Sequence, residues 1–199
     1  MNKLFLWLYV SLISFTANAQ TPVQGSVPAP ASLQVQAETL FVKPPMGYQI
    51  VTQTRKGQMT IVEFIPNKES LSTWREMVTV QIFHGLKTVT PAKFRALMDL
   101  QAKSACQSSS SLVVAENIEN GYPALFWYQG CEHKEDASKY ELTWFKAIQG
   151  TDSFYLVQKA FRFEPTEEQV TPWVAYLREV VVCDPRVTEK ACIKPALLK

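Results

Sequence analysis

The sequence predicts an α+β fold: a mostly antiparallel sheet of about six to seven strands with two main helices packed on it. Three observations lead there. Strand-like runs are separated by tight-turn signals at Lys56-Gly57 and Gly150-Thr151-Asp152. Two stretches carry apolar residues at helical spacing behind good N-terminal caps. Strands and helices never alternate one by one, which disfavours a doubly wound parallel sheet.

The front of the chain is read as a segment that does not belong to the fold. Met1-Asn2-Lys3 is a short cationic start, Leu4 to Phe15 is an uncharged apolar run, and Thr16-Ala17-Asn18-Ala19 ends in a small-x-small pattern. Residues 1–19 are therefore expected to be a signal peptide, since the apolar run is shorter than the roughly 20 residues that cross a bilayer. No membrane span is expected after its removal. Loss of Lys3 with it lowers the formal charge of +2 by one. Residues 20–32 (QTPVQGSVPAPAS) carry Pro22, Pro28 and Pro30, no charge and no periodicity, and read as a Pro-rich flexible leader. A single α+β domain is expected over 33–199.

Within that domain Tyr48–Arg55 and Gln58–Ile65 form the first expected hairpin, and Met77–Phe83 the third strand. In the third strand Val78, Val80 and Ile82 line one face, Thr79 and Gln81 the other. Thr90-Pro91 opens a helix whose stripe is Phe94, Leu97, Met98, Gln101 and Ala105, and the serine run 108–111 ends it. Four more strands are expected at Leu112–Asn117, Ala124–Gly130, Tyr140–Gln149 and Ser153–Phe163. Val170, Trp173, Val174, Leu177, Val180 and Val181 mark a last helix with two possible starts. One is the capping box Thr166-Glu167-Glu168-Gln169; the other is Thr171-Pro172, where a kink or a fresh start is expected. Both helices are expected on one face of the sheet.

This order of elements, with export, resembles the Mog1/PsbP-like fold. The stretch Phe64-Ile65-Pro66 to Ser72, Trp74, Met77, Thr79-Val80-Gln81 and Phe83 also resembles a block in small exported proteins of Gram-negative bacteria. The resemblance implies a small sandwich whose members include partner-binding proteins and envelope lipoproteins. The chain departs from the latter in having no cysteine near the cleavage junction. No site residue comes with the resemblance. Trp74 and Met77 themselves read as cover for the sheet edge.

Four cysteines behind a signal peptide point to two disulfides, and three connectivities are open. Cys183 and Cys192 flank the turn Asp184-Pro185 and close easily, which leaves Cys106 for Cys131. There is no CxxC and no paired close spacing for zinc, so no metal and no cofactor are implied. The compartment expected is the periplasm or the exterior.

The chemistry is sparse. A formal charge of +2 is too small for a claim on nucleic acid. G-x-S-x-G, P-loop, EF-hand, HExxH and GxGxxG patterns are absent from the sequence. His84, at a strand end, and His133, in the charge-rich run Glu132-His133-Lys134-Glu135-Asp136, are the only imidazoles. Any imidazole-dependent hydrolase must use one of them. Glu116 with Glu119, and Glu132 with Glu135, are the carboxylate pairs available for acid–base work.

The aromatic share of 12% is the stronger signal. Phe126-Trp127-Tyr128, Trp144-Phe145 and Phe154-Tyr155 are consecutive rings in strands, so they fall on both faces of the sheet. Cross-strand packing explains many of them; rings left uncovered by helices are candidates for partner contact. The expectation is a non-catalytic binding or adaptor protein of the bacterial envelope or secretome, with a protein or apolar ligand as partner. Its candidate contacts are Trp127, Trp144, Phe145 and Tyr155. The alternatives are a secreted hydrolase centred on His84 or His133 and a structural subunit of an envelope assembly.

Overall fold

Seven antiparallel strands lie side by side in the order 48–56, 59–66, 76–84, 153–161, 140–149, 122–133 and 106–119, two meanders joined at the third and fourth. The computed structural model describes residues 37–133 and 140–192, without the side chain of His133. The expected signal peptide, the leader and Lys134–Asp136 lie outside the described residues. The elements are β1 (Thr39–Phe41), β2 (Tyr48–Lys56), β3 (Met59–Pro66), β4 (Glu76–His84), α1 (Pro91–Ala105), β5 (Cys106–Glu119), β6 (Tyr122–His133), β7 (Tyr140–Gln149), β8 (Ser153–Phe161), α2 (Glu167–Arg178) and β9 (Val181–Cys183). The α+β class, the antiparallel sheet and the two main helices are as the sequence predicts.

The helices do not share a face. On β6, Leu125 and Trp127 enter the core beneath α1 with Phe94, whereas Tyr122, Ala124 and Phe126 enter the core beneath α2 with Leu177. On β8, Phe154 and Leu156 join the first core, Tyr155 and Val157 the second. Alternate residues of a strand point to opposite faces, so α1 and α2 cover opposite sides. The physical reason is visible in the strands themselves. β6 and β8 are apolar on both faces, and each face needs its own cover. The expected two-layer arrangement is therefore a sheet between two helices.

Other differences are local. The serine run is not a loop: β5 starts at Cys106, directly after α1, and Ser108–Ser111 pair with Glu132, Cys131, Gly130 and Gln129 of β6. Pairing and the Cys106–Cys131 disulfide hold residues of low strand preference in a strand. The other disulfide joins Cys183 and Cys192, so the connectivity is the one expected. α2 starts at the Thr166 capping box and continues through Pro172 without a fresh start, then ends at Arg178 so that Val181 enters β9. β9 pairs with β1 in a separate two-stranded ribbon. Asn120 (φ 48°) and Gly121 (φ 77°) form the tight turn between β5 and β6, both with the positive φ that a two-residue hairpin of this kind needs.

Candidate binding surface

A single cross-strand row runs over the α2 face: Leu112, Tyr128, Trp144, Lys159, Val78, Phe64 and Ile50 sit opposite one another, strand to strand. Its middle is covered by Trp173 of α2, whose ring lies 3.9 Å from the Lys159 ammonium. Toward β5 the cover thins. Trp144 and Tyr128 are half-buried, and Leu112 is 55% exposed. Trp144 packs against Tyr128 with ring centres 4.9 Å apart and against Phe126 at 5.5 Å. Its indole N–H is buried with no acceptor among the described residues. A rigid aromatic strip with an exposed leucine at its rim is suited to an apolar partner.

Beside the strip lies a buried ion pair. Lys159 is fully buried; its Nζ donates to Glu76 Oε2 at 2.6 Å and to the Tyr48 hydroxyl at 2.9 Å. Tyr48 in turn donates to Glu76 Oε2 at 2.8 Å. The rings of Trp173, Phe161 and Tyr48 surround the ammonium and stabilise it through their faces. Burial pushes the Lys159 ammonium down to about 8, and the Glu76 carboxylate, then the charge of Glu69, keep it from falling further. Burial alone would raise Glu76; the hydrogen bond and charge of Lys159, with Tyr48 and Arg75, outweigh it and hold the carboxyl below its ordinary range. Burial, then Glu76, keeps the Tyr48 phenol protonated far above its ordinary range. With no exposed surface on the lysine, the ammonium is part of the floor of the surface, and Glu76 and Tyr48 are half-buried around it.

No family model matches the chain, and no curated protein matches it in sequence. Its likenesses are to solved structures. It is similar to the Saccharomyces cerevisiae Ran-binding protein Mog1p at 10% identity and a TM-score of 0.42, over 70% of this chain and 82% of that one. The cyanobacterial PsbP of Synechocystis follows at 9% identity and 0.43, over 77% and 95%. LpqN of Mycobacterium tuberculosis, involved in cell envelope biogenesis, is similar at 11% identity and 0.40, over 81% and 89%. This is a weak, fold-level likeness to Mog1/PsbP-like proteins, and no residue, partner or activity comes with it.

The four candidate contact residues do not form one surface. Trp127 and Phe145 stack at 4.7 Å beneath α1, on the face opposite Trp144, and both are buried. Tyr155 is buried on the α2 face, where its hydroxyl donates to Glu38 Oε1 at 3.0 Å. Only Trp144 has a partly open ring. Tyr128, one of the consecutive rings of the sequence, and Leu112 join it; what selects them is the strand register, which the sequence does not display.

His84 closes β4 half-buried, and its Nε2 lies 2.8 Å from the Thr60 hydroxyl. Burial first, then the charge of Arg55, lowers its affinity for a proton. Among the described residues no carboxylate hydrogen-bonds to it, unlike the base of a hydrolytic triad. The backbone of His133 closes β6 opposite Cys106. Glu119 is held by Lys146 at 2.5 Å while Glu116 is exposed, so that carboxylate pair is split; Glu135 lies outside the described residues. No group of three or more His, Cys, Asp or Glu among the described residues is placed to hold a metal ion. No helix of the described residues is long and apolar enough to cross a membrane.

Proposed function

We propose that the chain is an exported, non-catalytic binding module that holds a protein or apolar ligand on the Leu112–Tyr128–Trp144 strip. In this reading residues 1–19 direct export, 20–32 are a leader, and one domain begins near residue 33. The observation that carries it is the half-buried Trp144–Tyr128 ring pair, which runs across the sheet to an exposed leucine on the edge strand. The two disulfides support an oxidising compartment, where such bonds form and persist.

A photo-reactive residue placed at Leu112 tests the surface. The control position is Ile50, at the other end of the same row and 53% exposed. A partner adduct is expected from position 112 and not from position 50, and Trp144→Ala should abolish it. Equal adducts at both positions, or adducts indifferent to Trp144→Ala, overturn the reading.

A further inference from the structure

The two edges of the sheet are treated differently. β2 ends in Arg55-Lys56, charges that discourage another strand from adding to an edge. Both edges carry register shifts, and those of β5, between Cys106 and Ser108 and between Val113 and Ala115, flank a regular stretch over 108–113. β5 is longer, at 14 residues, and from Cys106 to Ala115 it has no charge and no proline. Leu112, Val113 and Val114 on it are exposed. Among the described residues β6 is its only neighbour in the sheet, which leaves its outer backbone groups without a strand partner there. An open, neutral, apolar edge is a template for one more strand.

The charges at its two ends say which strand fits. Exposed Lys103 stands in the last turn of α1, just before β5 begins, and exposed Glu116 lies near the end of β5. α1 runs alongside β5: the Arg95 guanidinium donates to the Ser111 hydroxyl at 3.0 Å. Lys103, two helical turns further on, therefore lies beside the start of the strand. Antiparallel pairing of β5 with another β5, centred in the serine run, brings each Glu116 to the other copy's Lys103 end. It also places serines opposite Leu112 and Val113, small against large.

We propose that β5 pairs with β5 of a second copy, joining the two sheets into one across a two-fold axis. The arrangement closes on itself, because the protected β2 edges at the far ends do not propagate it. It uses the edge of the sheet, so it stands whether or not the α2-face strip binds a partner.

Sedimentation velocity on the purified chain, over a range of concentrations, reads the result. Wild type should be a dimer in reversible exchange. Val113→Lys, which puts a charge into the apolar part of the seam, should be monomeric with its thermal transition intact. Lys103→Glu and Glu116→Lys should each raise the dimer dissociation constant about fivefold, and the double swap should restore it. The swap set decides the matter even if Val113→Lys fails to fold. A wild type monomeric at every concentration overturns the proposal, as does a dimer that survives Val113→Lys or a double swap that restores nothing. So does a monomeric wild type whose edge captures a synthetic extended peptide.

Discussion

Burying the Lys159 ammonium makes the stability of this fold depend on pH in a direction opposite to that of a surface lysine. An unfolded lysine keeps its proton to about 10.4. In the folded chain burial lowers that value to about 8. Between these values the unfolded state binds more protons, so stability rises with pH through the window. Above about 10 the buried tyrosines act the other way: Tyr48, Tyr122 and Tyr155 hold their protons longer when folded, and that stabilisation is lost as pH rises through their raised values. Chemical denaturation should show a gain of about 2 kcal/mol from pH 8 to pH 10, and Lys159→Met should flatten it. A second residue-scale prediction concerns Gly150. A Cβ there would overlap the Glu38 carboxylate and come within 2.8 Å of the Ser153 carbonyl. Glu38 accepts from the Thr151 N–H at 2.6 Å, the Asp152 N–H at 3.1 Å and the Tyr155 hydroxyl, so it cannot step aside without losing the turn. Gly150→Ala should lower the unfolding free energy by about 2 kcal/mol, read from the denaturant midpoint.

At the scale of elements, the legible ones carry their own punctuation. β2, β3 and β4 alternate between turn signals, and α1 opens with Thr90 accepting from the Lys93 N–H and Pro91 at its first position. The start of α2 is ambiguous in the sequence only because two caps, Thr166 and Thr171, stand close together. The Thr166 capping box wins, with Thr166 Oγ1 and Gln169 satisfying each other's backbone N–H groups. Leu177 is buried and Trp173 closes over Lys159, so packing on the sheet outweighs the bond that Pro172 removes. Thr166→Ala should therefore cost about 1 kcal/mol, seen as a lower melting temperature. What the sequence hides is long-range pairing. β1 and β9 have three residues each, too few to show a period, and they exist because they pair with each other. The serine start of β5 has no strand signature of its own and is held by β6.

At the scale of the whole molecule, the strands announce rings on both faces but not which helix covers which face. That choice follows from strand order: α1 must pass from central β4 to edge β5, and α2 returns over the other side after β8. The same order scatters the candidate contacts, with Trp127 and Phe145 beneath one helix and Trp144 beside the other. It also makes the whole fold sensitive to the compartment. Cys106–Cys131 ties residues 25 apart across the β5–β6 hairpin, and Cys183–Cys192 ties residues nine apart at the end of β9. Closing loops of these lengths in the unfolded chain contributes about 3 kcal/mol each on chain-entropy grounds, or about 6 together. Domains of this size are stable by only about 5–15 kcal/mol. A chain made without residues 1–19 and kept in a reducing cytoplasm should therefore carry four free thiols and sit close to unfolding. The same chain oxidised in vitro should lose all four thiols and regain its cooperative transition. Thiol titration beside a denaturant melt checks both, and a reduced chain as stable as the oxidised one would show that the fold does not depend on export.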